Sequence, residues 1–172
     1  MNSSTQQPSD SSARHFIGLM SGTSLDGVDA VLMCQADASS PRMRVVGHHF
    51  IGMPHGLRQE FLALQSPQDN ELHRSQIAGQ ALVEVYTAAI AGLLQKTGID
   101  PAQIAAIGAH GQTIRHQPGS GYSLQLNAPH ALVEATGITV ISDFRQRDIA
   151  AGGQGAPLVP VFHASVFNAS RQ

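Results

Sequence analysis

"FIGLMSGTSLDGVDAVL", Phe16–Leu32, decides how this chain is read. Two apolar runs flank a loop of Ser21, Gly22, Thr23, Ser24, Leu25, Asp26 and Gly27. His15–Ser21 reads as a buried strand and Val28–Cys34 as its partner. A hairpin turn needs glycine to reach positive φ. That accounts for Gly22 and Gly27, but not for Ser21, Thr23, Ser24, Asp26 and Asp29 together. Gly, Ser and Thr in a tight loop turn several N–H and hydroxyl donors toward one point, an arrangement that suits phosphate. A carboxylate beside them cannot bind phosphate directly, but it can hold Mg²⁺, which bridges to phosphate oxygens. The loop is neither a Walker A sequence nor G-x-G-x-x-G, and no lysine follows its glycines. On composition alone a plain polar hairpin explains it as well as a phosphate loop does.

Working outward, Met43–Met53 ("MRVVGHHFIGM") reads as a third strand, giving an antiparallel meander. Alternation along that strand sends His48 and His49 to opposite faces, poor geometry for one metal site. Pro54 stops the sheet, and "HGLRQEFLALQ" reads as a short helix. Asn70–Thr97 carries the strongest helical pattern, with Ile77, Ala81, Val85, Ala88 or Ala89 and Leu93 as its apolar stripe. Asn70 stands at the N-cap and Gly98 at the C-terminal glycine position. Asp100–Pro101 is a second helix-start signal. Strands are expected at Ala105–Ala109, Tyr122–Leu126 and Ile138–Ser142, with a helix from Ala128 to Thr136 capped by Asn127 and ended by Gly137. The β-branched run "ITVIS" predicts burial on both faces. "AAGGQGAP" reads as a loop, and "PLVPVFHASVF" begins a helix. The order predicts an α/β fold with a mixed sheet.

The bulk numbers narrow the function classes. The chain has 172 residues, 42 % of them hydrophobic, which suits one domain with a sizeable core. Lys plus Arg is 10 and Asp plus Glu is 12, a net charge of −2. No basic field invites nucleic acid or an anionic membrane surface. The one cysteine, Cys34, lies in an apolar run and reads as a buried small hydrophobe. Its lack of a partner suits a reducing cytoplasm. No apolar run approaches the ~20 residues of a membrane span. Residues 1–14 read as a disordered polar tail, with the fold starting near His15.

Two further polar clusters favour a ligand site over a plain hairpin. "GAHGQTIRH" places His110, Gln112 and Thr113 just after a buried strand, and "SDFRQRDIAAGGQGAP" places Asp143, Arg145, Arg147 and Asp148 after another. Ligands of open α/β sheets gather beyond the carboxyl ends of strands. Three glycine-rich polar loops at three strand ends predict a shared cleft. Its amides, hydroxyls, carboxylates and guanidinium groups suit a sugar acid together with a nucleotide phosphate. A rival reading makes Asp26, Asp29, Asp143 and Asp148 a two-metal carboxylate site of a ribonuclease-H-like nuclease. The acidic charge balance and the hydroxyl-rich loop argue against it. A third reading is a lobe that binds a sugar or nucleotide without catalysis.

"FIGLMSGTSLDGVDAVL", "IGAHGQTIRHQP" and "GITVISDFRQRDIAAGGQGAPLVPVFH" closely resemble the bacterial anhydro-N-acetylmuramic acid kinases, from about His15 to the C-terminus. The resemblance implies the actin/hexokinase-like ATPase superfamily, whose lobes have ribonuclease-H-like α/β cores, and this chain is similar to the first lobe. It implies ATP and Mg²⁺, a cytoplasmic setting in cell-wall recycling, and a homodimer. The implied reaction opens the 1,6-anhydro ring with water and phosphorylates O6, giving N-acetylmuramic acid 6-phosphate and ADP. Carried over by position, Gly22, Thr23, Ser24, Leu25, Asp26, Gly27, Val28 and Asp29 match the ATP-binding segment, with Asp26 and Asp29 the implied Mg²⁺ ligands. His110, Gln112, Asp143, Arg145 and Asp148 are implied on the sugar side. Family members are much longer, and their Asp-Thr-Gly-Pro-Gly-Asn motif, which holds the general base, does not occur here. The catalytic base is therefore expected beyond residue 172, and the chain is expected to be an N-terminal portion that is inactive alone.

Overall fold

Alternation along the first two strands sets the sheet. In β1 (Arg14–Ser21) Ile17, Leu19 and Ser21 are buried and Met20 faces out. In β2 (Gly27–Gln35) Val28, Ala30, Leu32 and Cys34 are buried while Asp29 is exposed. A period of two means that one sheet face is covered and the other is open. The computed structural model describes residues 13–36 and 43–167. Most of the expected N-terminal tail lies outside them, and Arg14, assigned to that tail, begins β1 instead.

β3 (Met43–Gly52) completes an antiparallel meander, as expected, with Gly18 opposite Val31 and Ala30 opposite His49. β4 (Ile104–Ala109) runs parallel to β1 and β7 (Val140–Ile141) parallel to β4, so the five-stranded order is β3-β2-β1-β4-β7. This is the mixed α/β sheet, flanked by helices, that the order of elements in the sequence predicts. A separate antiparallel pair, β5 (Gln112–Gln117) and β6 (Tyr122–Leu126), stands beside it. β5 was not expected, because its sequence, Gln-Thr-Ile-Arg-His-Gln, is too polar to read as a strand.

One face of the sheet is filled by α2 (Glu71–Thr97), whose Leu82, Tyr86, Ala89 and Leu93 are fully buried. The expected stripe holds at Val85, Ala89 and Leu93, which are buried, with Ala81 half-buried, but fails at Ile77, which is 52 % exposed, and at Ala88, which is exposed. An Ala- and Leu-rich helix has little contrast between its faces, so periodicity alone does not choose the buried one. α2 is also long and apolar enough to cross a membrane, against the expectation that no run is, but half of that stretch is buried in the fold. Small residues let it lie close to β3. Gly92 faces the His49 ring, and Gly47 faces Thr97. His48 points the other way, as the alternation predicts.

Asn70 does precede α2, but in the left-handed region (φ 57°) and without a side-chain cap bond. Gly98 (φ 68°) ends the helix as expected, its N–H donating to Leu94 O at 2.9 Å. Asp100 caps the 3-10 turn Pro101–Gln103 and forms a capping box with Gln103. α1 (His55–Leu64) buries Phe61 and Leu64. α3 (Pro129–Thr136) ends at Gly137, but Ala128 holds the N-cap position expected for Asn127. Asn127 Nδ2 instead donates to Ala109 O at 3.2 Å. The strand expected at 138–142 shrinks to the two residues of β7, and Ile141 is 52 % exposed. Its double-sided burial is thus corrected: β-branched composition does not tell an edge strand from a central one. α4 (Phe144–Ala150) lies where a loop was expected, and α5 (Val159–Phe167) begins as anticipated.

A Cβ at Gly27 would strike the Ile51 carbonyl and the Phe50 ring, so β2 and β3 meet there only through glycine. Gly27→Ala should lower unfolding stability by about 1–3 kcal/mol, measured as a shift of the urea midpoint.

Candidate functional site

Because β1, β4 and β7 are parallel neighbours, their carboxyl ends share one edge of the sheet. Leu19 pairs with Ala109, and Gly108 with Ile141. The loops that leave Ser21, Ala109 and Ile141 therefore emerge side by side, with the outer two separated by roughly 10 Å at ordinary strand spacing. Thr23 and Asp143 stand at this common edge, where open α/β sheets hold their ligands.

The first loop is a turn pinned from below. Leu25 adopts φ 58°, a strained conformation for a leucine, and its side chain is wholly buried. Its N–H donates to Gly22 O at 3.1 Å, and Met53 N–H donates to Asp26 O at 2.9 Å. Leu25 and Val28 are 0 % exposed, so their side chains anchor the turn and cannot reach a ligand. Gly27 serves the contact with β3. What faces solvent is Thr23, Ser24 and Asp26, with Gly22 half-buried. The Asp26 carboxylate has no hydrogen bond or ion pair among the described residues. Asp29 lies on the open sheet face, where its Oδ1 is 2.7 Å from His48 Nε2. Of the two expected Mg²⁺ ligands, the structure leaves Asp26 at the turn and engages Asp29 elsewhere.

The second loop is fixed by α2. Gly111 (φ 77°) donates its N–H to Tyr86 Oη at 3.0 Å, and a Cβ there would sit 2.7 Å from Leu126 O. Burial pushes the Tyr86 phenol well above its ordinary value. His110 Nδ1 lies 2.7 Å from Gly111 O, and Arg145 Nε donates to His110 Nε2 at 2.9 Å. A carbonyl only accepts and a guanidinium only donates, so Nδ1 carries the proton and the ring is neutral. Burial, reinforced by the Arg145 charge, lowers the His110 pKa. Gln112 is 0 % exposed. Its Oε1 accepts from the buried Ser21 hydroxyl, and its Nε2 donates to Gly22 O at 3.3 Å.

The third loop is strapped to α4. Arg145 Nη1 donates to Gly155 O at 2.6 Å, and Gly155 N–H donates to Asp148 Oδ2 at 2.8 Å. Asp143 precedes α4 with φ 59°, is exposed, and has no side-chain partner among the described residues. The three sequence clusters thus form one bonded assembly: Ser21 and Gly22 with Gln112, then His110 with Arg145, then Gly155 with Asp148. The four aspartates of the nuclease reading are not brought together. Asp29 bonds His48, Asp148 bonds Gly155, and among the described residues no group of three His, Cys, Asp or Glu could hold a metal. Sequence reasoning missed Tyr86. The signal was available: a tyrosine among alanines and leucines must bury a hydroxyl that needs a partner.

Tyr86→Phe keeps the ring and strands the Gly111 N–H, so urea unfolding should show a loss of about 1–3 kcal/mol. The depressed His110 pKa means that the unfolded chain binds the proton more readily than the folded one. Stability should therefore fall as pH drops below about 6.5. His110→Gln should lose less stability than the unsubstituted chain between pH 7.5 and 5.5, measured by denaturation at both values.

Residues 14–172 match the sequence profile of the anhydro-N-acetylmuramic acid kinase family. A relative of that name from Albidiferax ferrireducens is 56 % identical over 156 residues, covering 88 % of this chain and 39 % of the relative. One from Bordetella pertussis is 51 % identical over 168 residues, 97 % of this chain and 44 % of the relative. One from Ralstonia nicotianae is 53 % identical over 159 residues, 90 % and 41 %. The chain spans about two fifths of the length of these curated relatives. A profile that covers the strand-end loops just described, and nearly all the chain around them, places the chain in the anhydro-N-acetylmuramic acid kinase family.

Proposed function

We propose that residues 15–172 are the first lobe of an ATP-dependent kinase that opens the 1,6-anhydro ring of anhydro-N-acetylmuramic acid with water and phosphorylates O6. The products are N-acetylmuramic acid 6-phosphate and ADP. The observation that carries this reading is the hydrogen-bonded assembly joining three loops at one sheet edge, in a chain of this family. On this reading the exposed turn Gly22–Ser24 meets the nucleotide phosphates with N–H and hydroxyl donors. The carboxylate of Asp26, unpaired among the described residues and beside those hydroxyls, fits a Mg²⁺ ligand; Asp29, bonded to His48, does not. Bound Mg²⁺ would neutralise phosphate charge.

On the sugar side, Asp143 offers a free carboxylate for sugar hydroxyls. Arg145, held by His110 and Gly155, presents positive charge for the lactyl carboxylate. Asp148 acts through the loop it holds. The general base and the second wall of the cleft belong to sequence that the longer relatives have. A cytoplasmic setting and a homodimer belong to the same reading and rest on the family resemblance alone.

The test compares this chain with the longer protein that its relatives represent, in an assay of ADP release with ATP and the anhydro sugar. The longer protein should turn over and form the 6-phosphate. The 172-residue chain should not, and sugar-dependent ADP from it alone would overturn the lobe assignment. In the longer protein Asp26→Asn should raise the KM for MgATP about tenfold, while Arg145→Ala should raise the sugar KM by a similar factor, the loss expected for one charge-assisted contact. An unchanged sugar KM would remove Arg145 from the sugar site.

A further inference from the structure

Gln112 was expected to touch the sugar, and its place in the fold says otherwise. Its side chain is completely buried, on the first residue of β5. A ligand arriving at the strand-end edge would have to open the turn to reach it. The carboxamide instead satisfies two groups that lie 90 and 91 residues earlier in the chain. Its orientation is fixed by chemistry. Gly22 O can only accept, so Nε2 faces it, and Oε1 is left to take the Ser21 hydroxyl proton. Ser21 is itself 1 % exposed, so this is a dry contact in which each hydrogen bond matters and each orphaned group is costly. Gly22 O is also the acceptor for Leu25 N–H, the bond that closes the turn. Gln112 thus grips the closing carbonyl from the core side while Leu25 holds it from the loop side. The second motif, through Gln112, sets the shape of the first.

We propose that Gln112 is a positioning residue for the Gly22–Asp26 turn, holding Ser21 and Gly22 so that the Thr23 and Ser24 donors are preset for a nucleotide phosphate, and that it is not a sugar ligand. The inference rests on the nucleotide reading of the turn. It gives the hairpin after β4 two separate duties: Gln112 serves the nucleotide turn, and His110, two residues earlier, serves Arg145. Preset donors bind more tightly because their ordering is complete before the ligand arrives.

The experiment uses the ¹⁵N-labelled 172-residue chain, with Gln112→Met to keep the shape and remove the polar atoms. Ser21→Ala is the second variant, which breaks one of the two contacts without touching position 112. Amide hydrogen exchange is read at Leu25, whose N–H donates to Gly22 O, and at Leu82 and Ile107 in the core. MgATP and the anhydro sugar are titrated separately, by calorimetry, into the longer protein that the chain's relatives represent, carrying the same substitutions. Leu25 should exchange about tenfold faster in Gln112→Met, the factor expected for losing hydrogen bonds of ordinary net strength. Leu82 and Ile107 should hold, MgATP affinity should fall by a similar factor, and sugar affinity should not change. Ser21→Ala should move Leu25 in the same direction, which decides the matter if Gln112→Met does not fold. Unchanged exchange at Leu25 in the folded variants would overturn the proposal, as would a loss of sugar affinity with MgATP binding intact. If the unsubstituted longer protein binds no MgATP, the nucleotide reading of the turn fails, while exchange at Leu25 still decides whether Gln112 shapes it.

Discussion

A wholly buried tyrosine hydroxyl has to find a partner, and in this fold Tyr86 finds the N–H of Gly111. That bond joins the middle of the core helix to the loop between β4 and β5. On either side of Gly111 stand His110 and Gln112, each handing the constraint onward, one to α4 and the other to the first turn. The helix also fills one face of the sheet with Leu82, Ala89 and Leu93. Hydrophobic packing and the polar assembly at the sheet edge are thus registered by a single side chain. A shift of α2 along its axis would be felt at all three loops.

The strand-end loops hold themselves together largely with their own polar groups. Of the residues that sequence reasoning offered to ligands, Gln112, Asp148 and Asp29 are engaged by protein partners, and Leu25 and Val28 are core. That leaves a small exposed set: the hydroxyls of Thr23 and Ser24 and the carboxylates of Asp26 and Asp143. Arg145 and His110 stand partly buried beside them. The division is physically sensible. A few groups can be held in a fixed geometry only if many others are spent on holding them.

The meander was legible because β1 and β2 alternate cleanly and glycine marks the turn between them. Gly98 and Gly137 announced helix ends because a left-handed residue there strongly favours glycine. β5 was not legible. Its polar side chains, Gln112, Thr113, Arg115 and His116, bond to partners distant in sequence or to the facing strand, so no local pattern marks it. The α2 stripe was legible at Val85, Ala89 and Leu93 but not at its start, because Ile77 and Ala88 are apolar residues on the outer face. In the candidate site, the convergence of three clusters could be read from glycine-rich loops at strand ends. Which side chains face outward could not, because outward and inward residues there are equally polar.

Gly155 is grasped at both ends of its peptide environment by residues three apart on one helix, Arg145 at its carbonyl and Asp148 at its amide. The segment from Ala151 to Gly155 is therefore geared to α4 and has little freedom to wander as an independent loop. A molecule that drew the Arg145 guanidinium away would free the Gly155 carbonyl and leave Asp148 holding the Gly155 amide. The guanidinium that such a molecule would meet at this corner is thus the same one that fastens the glycine segment to α4.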